Sequence, residues 1–405
     1  MVYTVGFDTS ALDTGFKSHA LRGIGRYVYE LKRYFDNNPS TTIRIKPFQH
    51  CEFQQRGFIN SLIDFLPAGR QTIRQQLLYP ARLSSKNGKG YDILHFPAHM
   101  DAPAWSLKNY VLTVLDLIPL VLEDLYRANK PGWRFAFARW LEIRAIKNAA
   151  LILAISENTA RDVNRILGIP KERIIVTHLG VDERFFEERA VPSDENVRLK
   201  HRIPFDRKLL VYTGGIDPRK NYEGMLRTFA IVMERHKKSG LIPPFLAMAG
   251  EIRSDREFPR LESIIQSLGL EHDVGLLGFV PDDELIDLYS ISSVFYFPSL
   301  YEGFGLPPLE AMAASLPVVS SNTSCMPEVL GDAALLVDPL DNAASAEAIM
   351  ALLQNKELAS DLRVKGRRRA SQFPWSKTAE ATLRAYGVAA KRVSAVPADE
   401  ARMHI

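Results

Sequence analysis

The chain has 405 residues, 46% apolar and 24% charged, with two cysteines and a formal net charge of +4. That length exceeds what one hydrophobic core supports, so two domains of about 150–200 residues are expected. The composition is that of an ordinary soluble globular protein, Cys51 and Cys325 build no disulfide framework or zinc site, and the charge is too mild to argue for nucleic acid.

From the N-terminus, short apolar runs read as strands: "YTVGFD", "TIRIKPF", "DILHFP", "YVLTVLD", "LILAIS" and "RIIVTHL", with helical patterns such as "ENTARDVNRILG" between them. A charged segment, "EERAVPSDENVRLKHRIPFDRK" (187–208), then reads as a hinge region. The rhythm restarts with "KLLVYTGG", "FLAMAG", "VGLLGFV", "SVFYFP", "PVVSS" and "ALLVD". The last pattern, "WSKTAEATLRAYGVAAKRV" (375–393), is a helix beyond the final strand. Near-continuous apolar strands alternating with helices imply parallel sheets covered on both faces. Two such units imply an α/β chain of two Rossmann-like domains facing each other, with ligand bound at the carboxyl ends of the strands in the cleft between them. The expected boundaries are 1–195, 196–375 and 376–405, the last being a helix and tail that pack back toward the first domain.

No window offers the roughly 20 uninterrupted apolar residues of a membrane span; "YVLTVLDLIPLVL" is broken by Asp116 and Pro119. The start "MVYTVGFDTS" lacks the features of a signal peptide, so a cytoplasmic protein is expected. Two stretches, 69–90 and 127–148, mix basic residues with apolar or aromatic ones, including Trp133, Phe135, Phe137 and Trp140. They suit either peripheral contact with an anionic membrane or a solvated helix face.

Three stretches carry chemistry. In "PSLYEGFGLPPLEAMAASLPVV" (298–319), Glu302 falls on a strand-to-helix loop and Glu310 in the first turn or so of the helix, with Gly303 and Gly305 permitting close backbone approach. A helix N-terminus there can hold an anion, which leaves the two carboxylates to accept hydrogen bonds from neutral sugar hydroxyls. Alternatively, Glu310 only complements the helix dipole and Glu302 is an exposed loop residue. In "TGGIDPRKN" (213–221), Gly214 and Gly215 follow a strand, and Arg219 with Lys220 can neutralise a diphosphate without a metal. In "SHALRGIGRYVYELKRYF", Gly23 and Gly25 line a second helix start that matches neither a P-loop nor a clean G-x-G-x-x-G.

These stretches together resemble the retaining GT-B glycosyltransferases of glycosyltransferase family 4, whose hallmark is two glutamates separated by seven residues, here Glu302 and Glu310. The likeness runs through "GIGRY", "TVLDLIPL", "SENTARDV", "LGVD", "GGIDPRKN", "LLGFVPDDEL", the 299–319 stretch and "MPEVLGDAALLVDPLD". It is similar in detail to enzymes of bacterial O-antigen and capsule assembly, many of them mannosyltransferases. The resemblance implies a GT-B fold with a C-terminal helix beyond the second domain. It also implies that Glu310 holds a ribose diol, Glu302 contacts the transferred sugar, and the amides of Phe304, Gly305 and Leu306 hold phosphate oxygens. Lys220 and Arg219 would neutralise the diphosphate, the backbone at Val280 would meet the base, Gly25 would close over the donor, and Asp116 would bind an acceptor hydroxyl. No metal or separate cofactor is implied, since the nucleotide sugar, GDP-mannose in the leading expectation, is a substrate. Its partner would be a glycan or lipid-linked glycan.

Two positions depart from the family pattern: Leu115 stands where a histidine often precedes the aspartate, and Gly215 where an arginine is common. The alternatives left open are a UDP-hexose donor, a nucleotide-sugar epimerase, and a non-catalytic nucleotide-sugar-binding protein of the same fold. A GT-A enzyme is disfavoured, because no apolar strand ends in a metal-binding Asp-x-Asp.

Overall fold

Branched and aromatic residues in short runs, punctuated by glycine and polar turns, make strands in both halves of the chain. The computed structural model describes residues 2–13, 23–49, 76, 83, 90–105, 109–127, 132–187 and 194–395. The first sheet comprises β1 (Tyr3–Asp8), β2 (Ile43–Phe48), β3 (Ile93–Phe96), β4 (Tyr110–Val114), β5 (Leu151–Ala154) and β6 (Ile174–Val176), in the order β2-β1-β3-β4-β5-β6. The second comprises β7 (Leu209–Thr213), β8 (Phe245–Ala249), β9 (Val274–Gly278), β10 (Val294–Phe297), β11 (Val318–Ser321) and β12 (Leu335–Val337), in the order β12-β11-β10-β7-β8-β9. Every pairing between these strands is parallel. All residues of β3, β4, β5, β7, β8, β10 and β11 are buried, as a sheet covered on both faces requires. Each strand expected from the sequence is present.

Before Leu179, the first sheet's unit carries α1 (Gly23–Asn37), α2 (Trp133–Asn148) and α3 (Glu157–Leu167) as its longer helices. The limits of α3 follow from its chemistry. Ser156 Oγ accepts the Thr159 N–H at 3.0 Å, and Gly168, at φ +69°, closes the other end.

In the second unit, α4 (Asp194–His201) lies within the charged segment expected to be a hinge, and its Arg198 is buried. The Arg198 guanidinium meets Asp194 at 2.5 Å and donates to the Arg207 carbonyl at 3.0 Å. A charged residue with these partners belongs to a folded element, not a linker. There follow α5 (Tyr222–Lys238), capped by the Asn221 side chain on Gly224 N–H, and α6 (Leu306–Ala313), with prolines in its first turn.

The chain resolves into two units, Met1–Leu179 with Trp375–Ile405, and Gly180–Pro374. The first boundary therefore lies at 179/180, where the sequence suggested 195/196. The Val181 N–H donates to the Phe373 carbonyl at 2.8 Å, and Arg184 pairs with Asp182 at 2.7 Å and Asp282 at 2.9 Å. These bonds fasten 180–187 to the second unit. The last helix, α7 (Trp375–Ala395), belongs to the first.

A buried polar chain locks α7 in place. Tyr386 on α7 lies 2.6 Å from His95 Nδ1 on β3, His95 Nε2 lies 2.8 Å from Thr113 on β4, and Thr113 lies 3.0 Å from Tyr27 on α1. Burial holds the His95 ring neutral, with its pKa lowered to about 3. Below about pH 6.5 the unfolded chain binds a proton that the native ring refuses, so stability falls with pH down to about 3, by about 1.4 kcal/mol per unit. Replacing His95 by Gln should remove that component. Denaturant titrations at pH 7 and pH 5 check it: the stability gap between wild type and His95→Gln narrows at the lower pH, and an unchanged gap contradicts the assignment.

Candidate active site

The second sheet starts at β7 in its middle and winds outward both ways, so its topological switch point lies between β7 and β10. The loops leaving those two strands carry the chemistry. Beyond β7, Gly214 takes φ +140° and donates its N–H to Ala249 O at 2.9 Å. A Cβ on Gly250, the first residue past β8, would sit 2.2 Å from Gly214 O, so the two loops approach closely only because Gly250 has no side chain. The loop then tightens into a 3₁₀ turn, Pro218–Lys220, capped by Asp217, whose carboxylate accepts the Arg219 N–H at 3.0 Å.

That turn delivers two cations to the loop beyond β10. Lys220 Nζ lies 2.5 Å and Arg219 Nη1 2.8 Å from the same atom, Glu302 Oε1, and Ser299 Oγ donates to it at 3.0 Å. The Lys220 ammonium also sits 4.6 Å from the centre of the Phe297 ring. Backbone bonds set the register: Leu300 N–H donates to Arg219 O at 2.7 Å, and Glu302 N–H to Ser324 Oγ at 3.1 Å. Glu302 is only 8% exposed. Burial pushes its pKa up most strongly, but Lys220, Arg219 and the Ser299 hydroxyl together outweigh that and hold the carboxyl below its ordinary value. Glu302 is thus an ionised buried group with two cations, not an exposed loop residue.

The same loop runs into α6. Gly305 takes φ +88° at the start of the helix, where a Cβ would fall 2.3 Å from Met326 Cε. Phe304 is buried edge-on against Phe373, and Leu306 opens the helix. Glu310 is the fifth residue of α6, one turn further in than the first, and is buried at 8% exposure. Val280 is buried just past β9, between an exposed Phe279 and Pro281.

Arg219, Lys220 and Glu302 are therefore in direct contact, with Gly214, Gly215, Phe304, Gly305, Leu306 and Glu310 on the same two loops and helix start. The other expected residues belong to the first unit. Gly23 begins α1 and Gly25 is buried within it; residues 14–22 lie outside the described ones. Asp116 follows β4 and accepts the Ile118 N–H at 3.1 Å, beside a buried Leu115. Of the basic stretch 69–90, only residues 76, 83 and 90 are described. On α2, Trp133 is 75% exposed; Phe137 and Trp140 are also exposed, with rings stacked at 5.9 Å, and Arg144 lies over Trp140. Ser299 and Gly250 were not singled out from the sequence. Gly250 had a signal, a glycine directly after a strand in "FLAMAG", as Gly214 has after β7.

The model of Glycosyltransferase Family 4 matches residues 21–185, and that of the glycosyl transferases group 1 matches residues 193–369. The O-antigen chain mannosyltransferase B of Escherichia coli is 32% identical over 243 residues, 60% of this chain and 61% of that protein. The serotype-specific mannosyltransferase WbdA of E. coli is 25% identical over 342 residues, 84% of this chain and 40% of that protein. These matches thus span less than two thirds of either relative's length. Two solved structures share the fold. HepE from Anabaena, in complex with UDP and glucose, gives a TM-score of 0.68 at 17% identity, covering 95% of this chain and all of that one. Sucrose-phosphate synthase from Thermosynechococcus elongatus gives 0.66 at 19%, covering 95% and 98%. With a family 4 domain followed by a group 1 domain, and two parallel sheets whose switch-point loops carry Lys220, Arg219 and Glu302, the chain belongs to the GT-B glycosyltransferases.

Proposed function

We propose that this chain moves a hexose, mannose from GDP-mannose, onto a glycan or lipid-linked glycan in the synthesis of a cell-surface polysaccharide. The observation that carries this reading is the meeting of Lys220 and Arg219 on Glu302 Oε1, at 2.5 and 2.8 Å, beyond the strand ends where open α/β sheets bind ligands. The mannosyltransferase names of the two E. coli relatives support the choice of sugar.

The chemistry follows from charge. The bond from the anomeric carbon to the diphosphate oxygen breaks, and its electron pair stays on that oxygen. Lys220, Arg219 and the amides of Phe304, Gly305 and Leu306 stabilise the charge as it develops. The acceptor hydroxyl attacks from the same face and its proton passes to the departing phosphate, so configuration is retained and no protein base is needed at Leu115. Glu310 takes the ribose diol, Glu302 the transferred sugar, the backbone at Val280 the base, and Asp116 in the first unit an acceptor hydroxyl. Arg219 supplies the guanidinium that Gly215 lacks. We further propose that α2, with its exposed Trp133, Phe137 and Trp140, rests peripherally on an anionic membrane that presents the acceptor.

Four experiments test these assignments. GDP should raise the melting temperature more than UDP does. In Glu310→Ala, GDP affinity should fall by a factor of about 10–100, the worth of a charged hydrogen bond, while affinity for inorganic pyrophosphate is kept; equal GDP affinity in the two proteins sinks the ribose assignment. Transfer from radiolabelled GDP-mannose to a lipid-linked glycan should persist in EDTA, because Lys220 and Arg219 serve where a divalent ion otherwise would. Complete loss with chelator and recovery with manganese refutes that site. Finally, the protein should float with anionic liposomes at low salt and release as ionic strength rises; no flotation at low salt returns α2 to a solvated face.

A further inference from the structure

The first unit holds a second cluster of charged side chains, apart from the Lys220–Glu302 site. His99 stands in the short turn His99–Asp101 just past β3 and is 3% exposed. Its Nε2 lies 2.8 Å from Glu142 Oε1 on α2, and Arg139 donates to Glu142 Oε2 at 2.6 Å. Among the described residues, its other nitrogen, Nδ1, has no hydrogen-bond partner. A buried ring nitrogen left unpaired is costly, and native proteins seldom keep one without a use. Asp116 stands past β4, the neighbouring strand, and its charge acts on the ring.

The state of the ring follows from these neighbours. Burial works most strongly against a charged imidazole, and Arg139 adds to it. The hydrogen bond and charge of Glu142, together with Asp116, outweigh both and raise the His99 pKa above its ordinary value. A charged ring turns Nδ1 into an N–H donor with no hydrogen-bond acceptor among the described residues. Arg139 and His99 are set against Glu142 and Asp116, with the buried Asp101 two residues on in the same turn, so the cluster carries no excess of positive charge and suits a neutral hydroxyl better than a phosphate or carboxylate.

We infer that His99 is an acceptor-binding residue: its Nδ1–H donates to a hydroxyl oxygen of the acceptor sugar, beside Asp116. This rests on the transferase reading and adds a second acceptor contact to it.

Two variants separate this from a structural role. His99→Gln keeps an amide nitrogen where Nε2 meets Glu142 and loses the donor at Nδ1. His99→Asn does the reverse. The Gln variant should raise the acceptor KM about tenfold or more, with melting temperature and GDP affinity unchanged, while the Asn variant recovers most of the acceptor affinity. In wild type, acceptor kcat/KM should fall as pH rises through the titration of the ring, and that fall should be absent from His99→Gln. A harmless Gln and a damaging Asn substitution overturn the inference, since the ring would then serve only to tie its turn to α2. A second readout needs no turnover. The histidine ring nitrogens of the full chain are followed by NMR during titration with the methyl glycosides of mannose, glucose, galactose and N-acetylglucosamine. Movement of the His99 Nδ1 signal by at least one of them supports the inference even if no transfer is found, a result that would count against the transferase reading alone. No movement with any of the four overturns it.

Discussion

Everything in the second unit's site depends on one buried carboxylate oxygen shared by two cations. Taking Lys220, Arg219 and Glu302 out of water costs several kcal/mol per ion, and their attraction offsets that only when further hydrogen bonds complete the geometry. Ser299 and the backbone bonds of Leu300 and Glu302 provide them. A well-packed apolar cluster would hold two loops together at lower cost. An ionic one has another merit: its cations are already placed, dry and close together, where a diphosphate would need them. In this protein both cations meet one carboxylate oxygen, Glu302 Oε1.

The two units are both all-parallel sheets, of different strand order. In each, the side chains that matter stand beyond the carboxyl ends of adjacent parallel strands: His99 and Asp116 past β3 and β4, Lys220 and Glu302 past β7 and β10. Backbone carbonyls and amides within the strands are consumed by pairing, so the loops alone have groups to spare. Between those loops and the sheet, glycine fixes how near two backbones come, as Gly250 does for Gly214.

Much of this was legible in the amino-acid order. Parallel strands buried on both faces read as continuous apolar runs, and β7 or β10 could hardly be anything else. The Glu302–Glu310 spacing and the "PRK" turn singled out Lys220, Arg219 and Glu302, but not the pairing of Lys220 with Glu302 across 82 positions. What stayed hidden depends on proximity that no local pattern encodes. His95 meets Tyr386 across 291 positions, and His99 meets Glu142 from a turn with no periodicity of its own. The 187–208 segment misled for a plain reason: its charge suggested a solvated linker, whereas Arg198 is buried on carbonyls and a carboxylate. Glycines such as Gly250 acquire meaning only once the facing loop is known.

The crossing at 178–181 and 373–378 has a consequence for how the protein is made. His178 O accepts from Thr378 Oγ1 at 2.7 Å, and Val181 bonds Phe373 in the step beside it, so the chain leaves the first unit and re-enters it at one place. The first unit is therefore discontinuous, with the second inserted into it. On the ribosome, β1 to β6 emerge long before α7, which supplies Tyr386 to the His95 chain. The second unit has all its residues out of the exit tunnel first and can fold while its host still waits for a missing wall. Chaperone demand during synthesis should thus concentrate on the half that is translated earliest, and a stop codon anywhere before 375 would leave that half permanently unfinished.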